Sequence, residues 1–362
     1  MAEAEELFQA KKVKGCWENP WEPWQRPGVW AFMRWLLKEK DNKNIPLDNE
    51  QELNKTLPVQ TPEFDRLLNK NPDGVMVMWI GHASLLVQFD GISILTDPIF
   101  SDRCSPVSEY LPIGPKRYRP PPCGVSDLPE IDIVLISHNH YDHLDLPSVR
   151  HLNERFGSNL TWYVPMDMRS WFLAVGCQNV KELVWWQEEM ACINRNDFKF
   201  VCTPCQHWCR RGVNDYNKAL WCSWVIKGPQ NSFFFAGDTG YQSQVFKQIG
   251  QKYGPFSIAA IPIGNYEPRL FLKYQHANPE EAVQIHLDVR AKKSVGIHWG
   301  TFKMISTEFY LEPRSRLQQA VEDRNLPSEC FFTMQHGEVK HLEEKAPSSN
   351  TQNDQDFKNI DS

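Results

Sequence analysis

The sequence predicts an α/β protein built as a four-layer sandwich, with two sheets packed face to face and helices covering their outer sides. Two observations predict this architecture. Between residues 74 and 340, short apolar runs alternate with amphipathic stretches, and a continuous apolar run is typical of a strand covered on both faces. The strand-like runs fall into two halves, each with helix-like stretches of its own, which favours two sheets with covering helices.

Ten apolar runs predict strands, in chain order at 75–80, 84–89, 92–96, 131–137, 161–164, 198–202, 220–226, 233–236, 258–263 and 295–298. Five amphipathic stretches predict helices, at 147–156, 166–175, 242–252, 279–290 and 313–324. Asp145 is a suitable N-cap for the first of these helices, with Pro147 in its first turn. Asn278 followed by Pro279 gives the fourth helix the same kind of start.

Composition divides the chain into three parts. Residues 1–70 form a Trp-rich N-terminal extension, 71–343 a domain of alternating strand-like and helix-like patterns, and 344–362 a polar tail that we predict to be disordered. Five Trp residues lie close together in the extension: Trp17, Trp21, Trp24, Trp30 and Trp35. The segment 29–40 could form an amphipathic helix in a membrane interface, where Trp rings favour the head-group level. The alternative is that these rings fasten the extension to the protein core.

Charge and cysteine content narrow the class of protein. The formal net charge of −6 argues against a broad surface for nucleic acid, and a hydrophobic content of 41% is ample for a core. The N-terminus lacks the features of a secretory signal, so we expect an intracellular protein whose ten Cys are reduced. Cys202 and Cys205 have the C-x-x-C spacing of redox and zinc-knuckle motifs, but packing at a strand end is the simpler interpretation.

The sequence Ser-His-Asn-His-Tyr-Asp-His at 137–143 places four residues of metal-ligand type within six positions: His138, His140, Asp142 and His143. It directly follows the apolar run at 131–136, so these side chains should lie in a loop at the end of a strand, where they can converge on a cation. Nitrogen and oxygen donors together suit Zn²⁺, and Fe or Mn at an oxygen-rich position. The alternative is a polar turn whose histidines are solvated.

Three further residues of ligand type follow apolar runs downstream. His207 and Asp238 each come shortly after a predicted strand, and His298 is the last residue of one; Asp238 directly follows a glycine. Taken singly, His207 or His298 is more often a satisfied core histidine than a ligand. Together with the cluster at 138–143, they favour a metal site.

This pattern resembles the metallo-β-lactamase superfamily, whose five motifs correspond here to Asp97, the cluster at 138–143, His207, Asp238 and His298. The resemblance implies a four-layer αββα sandwich of the metallo-β-lactamase type that holds two Zn²⁺ per chain. One zinc would be bound by His138, His140 and His207, and the other by Asp142, His143 and His298. Asp238 would bridge the two, and Asp97 would accept the outer N–H of a ligand. Asp142 and Asp238 would thereby be catalytic.

Longer sequence segments resemble one family more closely, namely the N-acyl-phosphatidylethanolamine-hydrolysing phospholipases D. They include Trp-Ile-Gly-His-Ala at 79–83, Gln-His-Trp-Cys at 206–209 and Lys-Tyr-Gln-His at 273–276, within a match over roughly 18–342. The resemblance implies hydrolysis of the head-group-side phosphodiester of a membrane lipid, with a metal-held hydroxide attacking phosphorus. The products would be N-acylethanolamine and phosphatidic acid.

The same resemblance implies substrate contacts and partners. Gln275 and His276 would contact the substrate, and His276 would also be catalytic. Tyr110 and Arg211 are candidates for the head group, and Arg211 also for an anionic lipid or amphiphile effector. A homodimer is implied, peripheral on the cytosolic face of internal membranes such as Golgi or endosome.

Two other functions remain open at this point. One is a hydrolase of the same fold that acts on a soluble lactone or phosphodiester. The other is a metal-holding scaffold or lipid-binding protein without turnover, which the full set of ligand-type residues disfavours.

Overall fold

A computed structural model describes residues 6–22, 24, 44–68, 73–106, 113–304 and 306–343. The predicted interfacial helix at 29–40, the candidate Tyr110 and the predicted disordered tail at 344–362 lie outside the described residues. Two seven-stranded sheets form the centre of the protein.

The first sheet has the order β16-β3-β4-β5-β6-β7-β8. Its strands are β3 (Val75–Gly81), β4 (Ser84–Phe89), β5 (Ile92–Thr96), β6 (Ile133–Leu135), β7 (Thr161–Pro165), β8 (Val180–Leu183) and β16 (Val339–Leu342). Pairing is antiparallel from β16 to β5 and parallel from β5 to β8. Strands β3, β5 and β6 therefore run in the same direction, and their carboxyl ends lie at the same edge of the sheet.

The second sheet has the order β15-β14-β13-β12-β11-β10-β9. Its strands are β9 (Glu188–Ile193), β10 (Asn196–Thr203), β11 (Ser223–Lys227), β12 (Ser232–Phe235), β13 (Ile258–Pro262), β14 (Ser294–Ile297) and β15 (Phe331–Phe332). Pairing is antiparallel from β9 to β12 and parallel from β12 to β15. Here β10, β12, β13 and β14 share one direction.

Aromatic side chains join the two sheets into one core. Tyr163 of β7 stacks on Phe200 of β10 with 4.2 Å between ring centroids. Phe89 of β4 meets Phe198 of β10 edge to face at 6.3 Å. The apolar faces of both sheets are thus buried against each other, as the continuous apolar runs predict.

Among the described residues there are eight α-helices: α1 (Glu50–Thr56), α2 (Phe64–Leu68), α3 (Leu146–Phe156), α4 (Arg169–Val175), α5 (Ser243–Tyr253), α6 (Arg269–Leu272), α7 (Pro279–Asp288) and α8 (Glu312–Asp323). Helix α4 packs on β8, α7 on β13 and α8 on β15. Asp145 caps α3 and Asn278 caps α7, as predicted. The α/β sandwich predicted from the sequence is confirmed, and all ten predicted strands and five predicted helices are present, most of them with shifted ends.

The N-terminal residues that the structure describes belong to this same core. The hairpin of β1 (Lys11–Val13) and β2 (Cys16–Glu18) leads to Trp21, whose indole stacks on Trp185 at 5.6 Å between centroids. Trp17 and Trp21 are both buried. For these two rings the structure shows core packing, whereas Trp30 and Trp35 lie outside the described residues. Within the part of the chain that the structure describes, no helix combines the length and apolar character needed to cross a bilayer.

Candidate metal centre

The segment 137–144 forms a tight loop between β6 and α3. The backbone N–H groups of His143 and Leu144 both donate to the carbonyl of His140, at 3.1 and 2.8 Å. This turn folds the segment back on itself, so that His138, His140, Asp142 and His143 face one point. Helix α3 then starts at its cap, Asp145.

Three imidazoles meet at one side of this point. His140 Nδ1 lies 2.8 Å from His138 Nε2 and 3.2 Å from His207 Nε2. Nitrogens bound to one Zn²⁺ at about 2.0–2.1 Å in a tetrahedron lie roughly 3.4 Å apart, so a cation with modest adjustment would fit between them. His207 Nδ1 lies 3.0 Å from the carbonyl of Gln275. A carbonyl can only accept, so Nδ1 carries the proton and the lone pair of Nε2 faces the other two rings.

A second group lies beside the first. Asp142 Oδ2 is 3.4 Å from His143 Nε2 and 3.4 Å from His298 Nε2. Both Nε2 atoms are buried, and neither has a hydrogen-bond partner among the residues that the structure describes. His143 Nδ1 lies 2.6 Å from Asp97 Oδ2. The Asp97 carboxylate therefore orients the ring so that Nε2 points into the site, which is the role that the sequence predicts for it.

One oxygen of Asp238 lies between the two groups. Its Oδ2 is 3.1 Å from both His143 Nε2 and His298 Nε2, and 3.9 and 3.8 Å from the Nε2 atoms of His138 and His207. This position is the one expected of a carboxylate that bridges two cations. That these seven side chains bind metal stays a prediction at the level of each residue, but the structure brings all seven together.

Glycine allows Asp238 to reach this position. Gly237 has a φ of +60°, and a Cβ on it would lie 2.5 Å from the Cβ of Ser137. Only glycine lets the backbone after β12 pass so close to the loop that carries His138.

Burial sets the protonation of the first three imidazoles. It lowers the pKa of His138 well below its ordinary value, that of His140 to about 3 and that of His207 to about 4. Neutral imidazoles have free lone pairs, and neutral imidazole is the form that binds a metal. This side of the site is therefore ready to accept a cation.

The carboxylates show that the site requires positive charge. Burial alone would raise the pKa of Asp238, yet His143 and His298 hold it well below its ordinary value. Burial would also lower the pKa of His298, but chiefly the Asp238 charge raises it to about 9. Without a metal, protonated imidazoles thus offset the buried negative charge of Asp238. Divalent cations would take over this role and displace the protons, so the donor set fits a metal centre.

Gln275 and His276 lie next to the centre, after α6. Within the described ranges, His276 Nδ1 is buried without a hydrogen-bond partner, and it lies 3.9 Å from Asp238 Oδ2. Its Nε2 is 3.3 Å from Nδ2 of Asn265. Gln275 is buried, and its carbonyl is the group that holds His207. The structure thus places the predicted pair beside the predicted ligands.

Arg211 lies beneath the loop rather than in the site. One guanidinium nitrogen donates to the carbonyls of Asn139 and Leu144, at 2.9 and 2.7 Å. The guanidinium also covers the ring of Tyr141 at 4.1 Å. These contacts support the metal-site loop, and a role of Arg211 toward a head group or effector remains a prediction that no contact here supports.

Two residues near the centre were missed by the sequence argument. His82 is buried, with Nε2 3.0 Å from Asp142 Oδ2. It directly follows β3, and the rule of a ligand-type residue after an apolar strand would have found it. Asn265 follows β13 in a left-handed conformation, with a φ of +62°. Its contact with His276 had no signal in the sequence.

The C-x-x-C pair belongs to the apolar core. Cys202 and Cys205 are both buried, and burial raises the pKa of the Cys205 thiol well above its ordinary value. A thiol that resists deprotonation is a poor redox nucleophile and a poor metal ligand. The packing interpretation therefore agrees with the structure.

Comparison with known proteins identifies the family. Residues 93–299 match the family model described as a beta-lactamase superfamily domain. The N-acyl-phosphatidylethanolamine-hydrolyzing phospholipase D 1 of Caenorhabditis elegans is 41% identical over 341 residues, which cover 91% of this chain and 94% of that protein. The mitochondrial protein of that name from Saccharomyces cerevisiae is 33% identical, over 90% of this chain and 75% of that protein.

Solved structures agree on the fold. The metallo hydrolase Igni18 of Ignicoccus hospitalis superposes with a TM-score of 0.54 at 20% identity, covering 75% of this chain and 99% of Igni18. At this identity the similarity concerns the fold alone. The relatives of higher identity and the family model carry the assignment: this chain belongs to the N-acyl-phosphatidylethanolamine-hydrolysing phospholipase D family of the metallo-β-lactamase superfamily, and it is a metal-dependent hydrolase.

Proposed function

We propose that the protein hydrolyses the head-group-side phosphodiester of N-acyl-phosphatidylethanolamines in membranes, releasing N-acylethanolamine and phosphatidic acid. The observation that carries the chemistry is the position of Asp238, because one of its carboxylate oxygens, Oδ2, faces both groups of imidazoles. The choice of substrate rests on relatives that are named for this lipid and share up to 41% of their residues with the chain.

We further propose two Zn²⁺ per chain. His138, His140 and His207 would hold one, and Asp142, His143 and His298 the other, with Asp238 in contact with both. Nitrogen-rich donor sets of this kind suit zinc. Two cations would supply a water nucleophile at neutral pH and offset the negative charge of the phosphoryl oxygens.

The remaining residues would orient the ligands and the substrate. Asp97 and the carbonyl of Gln275 hold the outer nitrogens of His143 and His207, so that these rings keep one direction during the reaction. His276 has a buried nitrogen, Nδ1, to which no group in the described part of the chain is hydrogen-bonded. We assign to it a hydrogen bond with the substrate beside the scissile phosphate, in a catalytic role.

Hydrolysis in ¹⁸O-labelled water tests this function. If water attacks phosphorus, mass spectrometry will find ¹⁸O in the phosphatidic acid and none in the N-acylethanolamine. Label in the N-acylethanolamine would mean that a carbon is attacked instead. Release of a free fatty acid, or turnover of a lactone without turnover of the phospholipid, would point to another hydrolase activity of this fold.

We propose that the protein reaches a membrane substrate as a peripheral protein. The Trp-rich segment at 29–40 is the part of the chain proposed to contact the membrane. Replacing Trp30, Trp35 and Leu36 together by Ser should lower liposome binding more than it lowers hydrolysis of a detergent-solubilised substrate, because only the first requires insertion into the interface. Sedimentation with liposomes and a mixed-micelle assay measure the two effects. Equal losses would indicate that these side chains pack on the core.

The intracellular location on internal membranes, the homodimer and an anionic effector are further proposals. Each is implied by the family and needs its own measurement. Light scattering with and without an anionic amphiphile would show the oligomeric state and any effect of such a ligand on it.

A further inference from the structure

His82 contacts the second group of predicted ligands, and nothing in the motifs of the superfamily accounts for it. Its side chain is buried, with 1% of its surface exposed, and its Nε2 lies 3.0 Å from Oδ2 of Asp142. This is the same oxygen that faces His143 and His298, each at 3.4 Å. A carboxylate oxygen has two lone pairs, so it can face a cation with one and accept an N–H with the other.

The backbone of His82 is fixed at both of its polar groups. Its N–H donates to Thr301 Oγ1 at 2.7 Å. Its carbonyl accepts from the backbone N–H of His298 and from the indole N–H of Trp79, both at 3.0 Å. His82 is thus hydrogen-bonded to the backbone of one predicted ligand and to the side chain of another.

Packing fixes the ring as well. Its centroid lies 4.0 Å from that of the His298 ring, and the ring of Phe302 meets it edge to face with 5.3 Å between centroids. The residue also has a φ of +53°, a left-handed conformation that is uncommon for a residue with a side chain. Such a conformation persists where the surrounding structure enforces it, and it often marks a functional position.

We propose that His82 is a positioning residue for the second metal: its Nε2–H donates to Asp142 Oδ2 and holds that carboxylate in the orientation that faces the cation. Asp142 side-chain atoms are 14% exposed, so without this contact the carboxylate could rotate toward solvent. His143, another predicted ligand of this metal, has a comparable support, since Asp97 holds its Nδ1. The role concerns metal binding and does not depend on which lipid is the substrate.

The test is metal affinity, measured by competition with a chromophoric chelator on the full chain. His82→Phe keeps a ring but removes the donor, and His82→Asn tolerates the left-handed backbone but is too short to reach Asp142. In both variants we expect the second metal site, the one that includes Asp142, to lose about 10–100-fold in affinity, the usual effect of removing such a partner. His82→Gln places an amide N–H near the position of Nε2 and should restore affinity to within about threefold of the parent.

Cobalt separates this role from direct ligation. When saturated with Co²⁺, His82→Asn should keep the visible spectrum of the parent, because the atoms bound to the metal are unchanged. A changed spectrum at saturation would make His82 a ligand and overturn the proposal. So would parental affinity in the Asn variant, or a Gln variant as weak as the Asn variant. A chain that binds metal as proposed but does not release N-acylethanolamine would refute the proposed function and leave this inference intact.

Discussion

At the scale of single residues, the centre depends on the charge of its carboxylates. Asp142 Oδ2 lies within 3.4 Å of three imidazole nitrogens, from His82, His143 and His298. The imidazoles hold its pKa well below the ordinary value although burial opposes this. An anion in such a place is stable only with positive charge beside it, which the proposed cation supplies.

Asp142→Asn should therefore remove one metal. The amide keeps the shape of the side chain but not its charge, so we expect about one metal per chain instead of two, and hydrolysis reduced by more than about tenfold. Elemental analysis after gel filtration measures the metal content. Asp65→Asn, at an exposed position on α2, is the matched control and should leave both quantities unchanged. Full activity in Asp142→Asn would refute the ligand assignment.

The sequence predicts the metal ligands better than it predicts the residues that hydrogen-bond to the side chains around the site. The reason is that the ligands follow a pattern in the chain, whereas those hydrogen-bond partners do not. His138, Asp142 and His143 lie close together in the chain and directly follow an apolar strand. Asn265 and His276 are eleven positions apart and meet only because β13 and the turn after α6 end at the same place. Contacts of this kind depend on the folded backbone, and residue type alone does not reveal them.

At the scale of elements, the N-terminal hairpin holds the segment that carries His207. Asn19 Nδ2 donates to the carbonyl of His207 at 2.9 Å, and the Trp21 indole donates to Gln206 Oε1 at 2.7 Å. Trp21 also stacks on Trp185. Residues 16–22 are thus part of the structure that positions a predicted ligand.

Trp21→Ala should lower the free energy of unfolding by about 3–5 kcal/mol, because it leaves a cavity in the core and frees Gln206. Denaturant titration with circular dichroism measures this. Met190→Ala, at a position 61% exposed on β9, is the control and should change stability by less than about 0.5 kcal/mol. A Trp21→Ala variant as stable as this control would mean that the hairpin is not fastened as the structure shows.

Element prediction succeeded where apolar runs are continuous and failed where they are not. β4 and β5 are buried along their whole length and match the predicted ranges at both ends. β9 alternates between exposed and partly buried residues at the edge of its sheet, and Glu188 and Glu189 lower its apolar content. An edge strand gains much of its stability from backbone pairing, which leaves little trace in composition.

At the scale of the whole molecule, the candidate functional residues of both sheets lie just after the carboxyl ends of strands. Asp97 follows β5, the loop at 137–144 follows β6, Asp238 follows β12 and His298 follows β14. Because these strands run in one direction within each sheet, their ends bring the residues to one edge of the sandwich. The site therefore joins the two halves of the protein.

Metal removal should therefore destabilise the entire fold. A cation present at 100 times its dissociation constant adds about 2.7 kcal/mol of stability if it binds only the folded chain, and its removal takes that stability away. We expect a strong chelator to lower Tm in differential scanning calorimetry, and added Zn²⁺ to restore it. The same chelator saturated with Zn²⁺ is the control. An unchanged Tm with metal shown to be removed would argue against a metal centre shared by both sheets.

The most direct test of the central claim counts bound metal and product on the same sample. Metal per chain is measured alongside hydrolysis of N-acyl-phosphatidylethanolamine, phosphatidylcholine and a lactone. We predict two metals per chain, activity that rises with metal loading, and hydrolysis confined to the first substrate. Full activity in a chain stripped of metal, or turnover of the lactone with none of the phospholipid, would contradict the account.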